Sequence, residues 1–250
     1  MIKKAALFDL DNTLYDYDIV NKKAMLEVYK VLRLHIKISK EKFNRLFKIS
    51  KREIHRELAG TASAHNRTLY FQRLIEKTNQ TVEPKIILKL YNTYWNYVLK
   101  NMKLRKGVLG VLKKLKLRGM QIAVISNLTT NIQLRKLYAL KISKYVDVLV
   151  TSEEAGSEKP HAIMFLLALN KLDLTPKEVI MVGDNTVSDI EGANSAKIDT
   201  VLLKRGKLAR EANEDYEKAN YVIKTIPEVL NILDNIEHQQ KRKQNARKKT

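Results

Sequence analysis

The feature that most constrains this chain is a short apolar run that stops at two carboxylates. Ala5–Phe8 are apolar, and Asp9 and Asp11 follow with only Leu10 between them. Uninterrupted apolar runs are typical of parallel strands that are covered on both faces. Catalytic groups of open α/β sheets collect just beyond the carboxyl ends of such strands. If the strand stays extended at its end, side-chain alternation places both carboxylates on one side.

Two carboxylates held this close repel each other unless a cation lies between them or one stays protonated. Such a pair can divide two roles, since one carboxylate can attack or bind metal while the other moves a proton. The simpler alternative is a polar turn after a strand, because Asp and Asn are also turn residues.

From residue 108 onward, segments with helical spacing alternate with short apolar segments that are typical of buried strands. The predicted strands are Met120–Ile125, Val146–Val150, Val179–Val182, Thr200–Leu203 and Tyr221–Ile223. The predicted helices are Val108–Leu117, Thr130–Leu140, His161–Leu169, Ser188–Ala196 and Pro227–Ile236. This alternation predicts an α/β fold with a doubly wound, Rossmann-like parallel sheet and right-handed crossovers.

The segment between residues 16 and 102 has helical spacing and no strand signal. Its predicted helices are Asp18–Leu34, a second helix that begins after Ser39, Ala64–Lys77 and Pro84–Met102. On the last of these we predict a core stripe of Tyr91, Trp95 and Leu99. The chain is therefore predicted to have a core of residues 1–15 and 103–236, an inserted all-helical domain of residues 16–102, and a tail of residues 237–250.

The chain is strongly basic, with a formal net charge of +20 and six Lys or Arg among its last ten residues. The tail is polar and basic throughout, which predicts disorder. A basic body favours anionic partners by its field, and nucleic acid is one such partner. A solvated Lys-rich surface explains the charge more simply, because no nucleic-acid recognition motif is recognisable.

Features that are missing narrow the class of protein. The chain has no cysteine, which excludes disulfides and thiolate metal sites. No apolar run reaches the roughly 18 residues of a transmembrane helix. The apolar run behind Lys3 and Lys4 is too short for a signal-peptide core. These features fit a cytoplasmic protein with no membrane partner.

Polar side chains follow four of the predicted strands, and they make a chemically coherent set. They are Asp9 and Asp11, Ser126 and Asn127, Lys159, and Asp184 with Asp189. The carboxyl ends of parallel strands meet at one edge of a sheet, so these groups are expected to converge. Carboxylates can hold Mg²⁺, which prefers hard oxygen ligands, while a hydroxyl and a Lys can bind phosphate oxygens. Asp9 is then free to attack phosphorus in line.

Four segments in this order resemble the motifs of the haloacid dehalogenase superfamily of aspartate-nucleophile phosphatases. They are Phe8–Leu14 (FDLDNTL), Ile125–Asn127 (ISN), Gly156–Pro160 (GSEKP) and Gly183–Ala193 (GDNTVSDIEGA). The acid at position 11 favours phosphoryl transfer, because the dehalogenase members of the superfamily lack it.

The resemblance implies Mg²⁺-dependent hydrolysis of a small soluble phosphomonoester through an aspartyl phosphate. It implies Asp9 as the nucleophile, and Asp11 as the general acid and then the general base. Mg²⁺ would be held by Asp9, by the backbone carbonyl of Asp11 and by Asp184. The phosphoryl oxygens would be held by Ser126, Asn127 and Lys159. Asp189 would orient the metal-bound waters or pair with Lys159. The helical insertion resembles a cap that closes over the substrate and excludes water.

Two alternatives to a phosphatase remain. A phosphomutase of the same fold would use the same carboxylate pair and return the phosphoryl group to a sugar. A non-catalytic scaffold would bind nucleic acid through its basic surface and tail. The sequence leaves the phosphate ester, the specificity residues and the oligomeric state open.

Overall fold

Six parallel strands form one sheet, with the first strand of the chain near its centre. The computed structural model describes residues 2–79, 81–204 and 214–247. The strands are β1 (Ala5–Phe8), β2 (Gln121–Ser126), β3 (Val148–Thr151), β4 (Val179–Gly183), β5 (Asp199–Leu203) and β6 (Tyr221–Ile223). Their order is β3-β2-β1-β4-β5-β6, and each neighbouring pair is parallel. The predicted α/β fold with a parallel sheet is confirmed.

Ten α-helices are described. Those of the insertion are α1 (Tyr17–Arg33), α2 (Lys40–Glu57), α3 (Arg67–Asn79) and α4 (Pro84–Asn101). Those of the α/β body are α5 (Val108–Leu117), α6 (Thr130–Ala139), α7 (Ser152–Ala155), α8 (Ile163–Leu172), α9 (Gly192–Ser195) and α10 (Glu228–Arg247). Shorter 3-10 turns lie at Ala62–His65, Ser143–Tyr145, Pro176–Glu178 and Asp215–Glu217. The predicted helix over residues 188–196 is instead a π-helical segment, Thr186–Glu191, followed by α9.

The strands are apolar throughout because both faces of the sheet are covered. Ala6 and Phe8 of β1 belong to a buried cluster that includes apolar residues of α5 and α10. Ala5 and Leu7 point the other way and pack with apolar residues of α8 and α9. Side-chain alternation along one strand therefore supplies two cores, which is the doubly wound arrangement.

The helical insertion packs on the same core as the sheet. The side chain of Ser39 caps α2 by accepting a hydrogen bond from the Lys42 N–H at 3.1 Å, as such residues do at helix starts. The predicted stripe on α4 is wrong at two positions, because Tyr91 and Leu99 are only partly buried. Trp95 is buried as predicted, together with Ile87, Leu90, Tyr94 and Val98. The reason is that α4 packs against both α1 and α3, which shifts its buried face.

Two chain segments connect the insertion to the α/β body, and they are bonded to each other. Tyr15 forms isolated β-bridges with Asp11 and with Leu104. The Arg105 N–H donates to the Leu14 carbonyl at 2.9 Å. Leu14 and Tyr15 are fully buried, so the crossing point is anchored in the core next to the end of β1.

The structure corrects the sequence prediction for the C-terminal tail. Disorder was expected from residue 237, but α10 continues to Arg247, and residues 248–250 lie outside the described ranges. Val229 and Leu233 anchor the start of the helix in the core. Farther along, Lys241 pairs with Glu237 at 2.7 Å, one helical turn away. Within the described ranges, no helix combines the length and apolar character of a membrane span.

Candidate active site

Asp9 lies directly after β1 and is almost completely buried, with 6% of its surface exposed. Its backbone N–H donates to the Val182 carbonyl at 3.0 Å, which extends the β1–β4 pairing by one residue. The carboxylate Oδ1 accepts a hydrogen bond from the Lys159 ammonium at 2.7 Å. The carboxylate Oδ2 is buried and receives no hydrogen bond from the described residues. Asp9 therefore places one unsatisfied carboxylate oxygen at the carboxyl edge of the sheet.

Three carboxylates meet at this edge, and we call them the acid cluster. One oxygen from each of Asp9, Asp184 and Asp189 lies within 4.8 Å of the others. Burial raises the pKa of Asp9 to about 7 even though Lys159 opposes the shift. When the acid cluster is ionised, the single charge of Lys159 leaves a net charge of −2. Hard oxygen ligands, an unsatisfied oxygen and this surplus charge fit a divalent cation such as Mg²⁺.

The Lys159 side chain connects two members of the acid cluster to strand β2. Its ammonium donates to Asp9 at 2.7 Å, to Asp189 at 2.6 Å and to the Ile125 carbonyl at 3.0 Å. Burial lowers the pKa of Lys159, but the charges of Asp189 and Asp9 outweigh it, and the net pKa is raised. Lys159 therefore stays charged across the physiological pH range and can neutralise part of a bound phosphoryl group.

Ser126 and Asn127 lie at the end of β2 and line the same cavity as the acid cluster. The Asn127 side-chain oxygen accepts a hydrogen bond from the Lys159 N–H at 2.9 Å, so it positions the loop that carries Lys159. The Ser126 hydroxyl accepts from the Gln133 side chain at 2.7 Å. Its own proton is left for another acceptor, which a phosphoryl oxygen can be.

Asp11 lines the same cavity as the acid cluster but is bound to a different cation. Its two carboxylate oxygens accept hydrogen bonds from the Lys136 ammonium at 2.8 and 2.6 Å, and the Tyr15 hydroxyl donates to one of them. Lys136 is fully buried, and its ammonium lies 5.5 Å from the Trp95 ring centre. Burial lowers the pKa of Lys136, although Asp11 opposes this shift. Asp11, which is partly exposed, and the buried Lys136 form an ion pair beside the acid cluster.

Sequence reasoning missed Lys136 and Gln133, although α6 carries a signal for both. The apolar residues Ile132 and Leu137 define the buried side of this helix. Positions 133 and 136 fall on that same side at helical spacing. A Lys and a Gln on the apolar side of a helix indicate buried polar partners, because buried charges are almost always paired.

A cavity of about 460 Å³ opens above the acid cluster. Its floor is formed by the strand ends, including Asp9, and its opposite side by residues of the helical insertion, including Tyr17. Glu158, next to Lys159, pairs with His65 of the insertion at 2.8 Å. The volume is within the usual range for small-molecule sites. The cavity can therefore enclose a small substrate between the two parts of the chain.

Gly183 at the end of β4 is required by the position of Asp189. A Cβ on Gly183 would lie 2.4 Å from three atoms of the Asp189 side chain. We expect Gly183→Ala to push Asp189 away from Lys159 and to cost about 1–3 kcal/mol, as overpacked cores do. Thermal unfolding would measure the loss. The control is Gly110→Ala at an exposed position of α5, where nothing lies within 4 Å of the added methyl and stability should rise slightly.

The sequence matches the model of one protein family, described as haloacid dehalogenase-like hydrolase, over residues 6–203. A ribulose-1,5-bisphosphate 5-phosphatase from Halopiger xanaduensis is 42% identical over 202 residues, which are 80% of this chain and 84% of that protein. A glyceraldehyde 3-phosphate phosphatase from Methanocaldococcus jannaschii is 31% identical, over 93% of this chain and 98% of that protein.

Two solved structures share the fold along nearly the whole chain. The HAD-hydrolase YfnB from Bacillus subtilis, bound to magnesium, aligns with a TM-score of 0.72 at 17% identity, over 94% of this chain and all of that one. An HAD phosphatase from Thermococcus onnurineus aligns with a TM-score of 0.70 at 24% identity, over 92% and 97%. The family match covers well over half of the residues, and the motif positions carry the buried acid cluster. The chain belongs to the haloacid dehalogenase-like hydrolases.

Proposed function

We propose that this phosphoric monoester hydrolase transfers the phosphoryl group of a small phosphate ester to Asp9 and then to water, with Mg²⁺ at the acid cluster. The observation that carries the proposal is the buried carboxylate of Asp9. One of its oxygens is held by Lys159, and the other is unsatisfied beside two further carboxylates. Burying a carboxylate costs free energy because it loses its hydration, so this arrangement indicates a site for a ligand that supplies positive charge.

The residues that would hold Mg²⁺ are Asp9, Asp184 and the backbone carbonyl of Asp11, with Asp189 close by. When bound, the ion offsets the negative charge of the phosphoryl group and of the attacking carboxylate. Lys159 holds the carboxylate of Asp9 in position and contributes a second positive charge. Ser126 offers its hydroxyl proton to a phosphoryl oxygen.

In the first step, a carboxylate oxygen of Asp9 forms a bond to phosphorus while the ester P–O bond breaks. The departing alkoxide takes a proton from Asp11 and leaves as an alcohol. Lys136 positions Asp11 through two hydrogen bonds, and its ammonium supplies the proton that Asp11 passes to the alkoxide. In the second step, water attacks phosphorus and gives a proton to Asp11, which releases phosphate and restores Asp9.

Residues 16–102 form a cap in this proposal. The buried crossing point at Tyr15 and Leu104 joins the cap to the body next to Asp11. The 2.8 Å contact between His65 and Glu158 joins it on the other side of the cavity. A closed cap excludes bulk water, so the aspartyl phosphate reacts only with a positioned water.

The proposed substrate class is small phosphorylated sugars. The relatives described above are phosphatases of ribulose 1,5-bisphosphate and of glyceraldehyde 3-phosphate, and a cavity of about 460 Å³ suits molecules of that size.

A phosphate-release screen tests the proposal and its metal. We expect p-nitrophenyl phosphate and several sugar phosphates to be hydrolysed with Mg²⁺. Chelation by EDTA should lower the rate by at least about a hundredfold, because a metal contributes several kcal/mol of charge stabilisation. Added Mg²⁺ should restore the rate. Full activity in EDTA, or movement of the phosphoryl group within a sugar without release of phosphate, would contradict the proposal.

A further inference from the structure

A second charged group lines the cavity on the side of the helical insertion, and we call it the cationic cluster. It consists of Lys51, His55, His65 and Arg67. Lys51 and His55 lie one turn apart on α2, while His65 and Arg67 lie in the turn before α3 and at its start. The rings of His55 and His65 are 4.8 Å apart. Two separate segments therefore bring basic side chains to one wall of the cavity, facing the acid cluster.

Burial and the positive charges of the cationic cluster disfavour protonation of its own members, and His55 is therefore neutral at neutral pH. Burial lowers the pKa of His55 to about 4, and the charges of His65, Lys51 and Arg67 add to that shift. Burial also lowers the pKa of Lys51, and Arg67 adds to it. The carboxylates that oppose these shifts are Glu158, which faces His55, and Asp18, which faces Lys51. They do not outweigh the positive field, so an added anion would relieve it.

None of the described hydrogen bonds of Arg67 goes to a carboxylate. Its guanidinium donates to the His65 carbonyl at 3.1 Å and to the Tyr17 hydroxyl. It lies over the rings of Tyr70 and Tyr94, at 4.9 and 5.2 Å from their centres. Its Nε is buried and has no acceptor among the described residues. A guanidinium fixed by aromatic faces and short of an acceptor is prepared for an oxyanion.

The cationic cluster lies close enough to the reaction centre to act on the same molecule. The charge of Arg67 contributes to the lowered pKa of Lys136, which is bonded to Asp11. Tyr17, which accepts from Arg67, also lies 5.6 Å from the Lys136 ammonium, measured to its ring centre. A ligand whose phosphoryl group lies at Asp9 therefore extends toward the cationic cluster.

We propose that the cationic cluster binds a second anionic group of the substrate, a phosphate or a carboxylate at the end opposite the phosphoryl group that Asp9 attacks. Lys51 and Arg67 are the residues that contact this group. The inference rests on the proposed function, since it assigns the other end of the same substrate. Because Arg67 has a buried Nε that lacks an acceptor among the described residues, the site should discriminate against an analogue that leaves this group unpaired. The preferred substrates are then bisphosphorylated sugars or phosphorylated acids.

Two matched pairs of probes test the second group and distinguish its chemistry. Ribulose 1,5-bisphosphate is compared with ribulose 5-phosphate, and 3-phosphoglycerate with glycerol 3-phosphate. For the wild-type protein in Mg²⁺, we expect kcat/KM to be at least about tenfold higher for the doubly anionic member of one or both pairs, the gain from one charge-assisted hydrogen bond. A preference in the first pair alone indicates phosphate, and one in the second alone indicates carboxylate. No preference in either pair would overturn the proposal.

Substitutions of Lys51 and Arg67 test whether the cationic cluster causes the preference for doubly anionic substrates. Lys51→Met should reduce the preference ratio by about tenfold, and Arg67→Met should reduce it at least as much. Lys48→Met is the matched control, because Lys48 is exposed on the same helix and does not line the cavity. It should keep the wild-type ratio. If Arg67→Met does not fold, the result for exposed Lys51 still decides, and an unchanged ratio in Lys51→Met would overturn the assignment.

Calorimetry separates this inference from the proposed function. Asp9→Asn is titrated with both members of each pair in Mg²⁺, so that binding is measured without turnover. Tighter binding of the doubly anionic member, lost in Asp9→Asn combined with Lys51→Met, supports the second anion site even if no ester is hydrolysed. Phosphate release by wild type with equal binding of both members would leave the proposed function standing and overturn the anion site.

Discussion

Asp9→Asn is expected to lower the rate of phosphate release from p-nitrophenyl phosphate by at least about 10⁴-fold, a loss typical of removing a catalytic nucleophile. An amide has nearly the shape of a carboxylate but does not attack phosphorus. The substitution also removes one charge from the acid cluster and one acceptor from Lys159. Steady-state phosphate release in Mg²⁺ measures the change, with thermal unfolding as a check that the variant is folded.

The matched control for this prediction is Asp215→Asn. The Asp215 side chain is 93% exposed and pairs with Lys218 on the surface of the α/β body, so its loss should leave the rate within about twofold of wild type. A folded Asp9→Asn protein that still releases phosphate at a tenth of the wild-type rate would exclude Asp9 as the nucleophile.

Lys136→Met is expected to lower kcat for an alkyl phosphate such as glycerol 3-phosphate by about 10²-fold, at the lower end of general acid–base contributions. Met has a similar length and is apolar, so the buried volume stays filled while both hydrogen bonds to Asp11 are lost. An alkoxide leaves poorly without a proton, whereas p-nitrophenolate leaves without one. The loss should therefore be much smaller with p-nitrophenyl phosphate.

Two further variants make this prediction specific to Asp11. Arg135→Met changes an exposed basic residue on the same helix and should leave both substrates unaffected. In a double-mutant cycle, Asp11→Asn and Lys136→Met should cost little more together than Asp11→Asn costs alone, because residues that act as a unit are not additive. Additive losses, or equal losses with both substrates, would show that Lys136 acts on stability or binding and not through Asp11.

The sequence predicted the family and most of the fold because the signals for both are local. Apolar runs of three to six residues gave the strands, and all six predicted strands agree with the structure to within two residues at each end, as β4 and β5 illustrate. Asp9 and Asp184 follow buried strands directly, so their meeting follows once the strands are parallel. The roles of the site residues stay predictions until the variants above are measured.

The helical tail and the buried side of α4 were predicted less well, for a shared reason. Helix formation in residues 237–247 depends on anchoring through Val229 and Leu233, and a polar segment shows no such anchor by itself. The burial of Tyr94, with Tyr91 left partly exposed, depends on where α1 and α3 dock. Packing partners that are distant in sequence set both outcomes.

The sequence by itself determined the parallel sheet and the carboxylates at its edge, because strand length, apolar runs and strand-end residues are read along the chain. Only the tertiary structure decided which charged side chains lie close enough to interact. Lys136 reaches Asp11 across 125 residues of sequence, and the cationic cluster forms because α2 and the start of α3 turn their basic residues into one cavity. Charges interact through space over a few ångströms, so pairs like these are fixed by the docking of helices and not by sequence spacing.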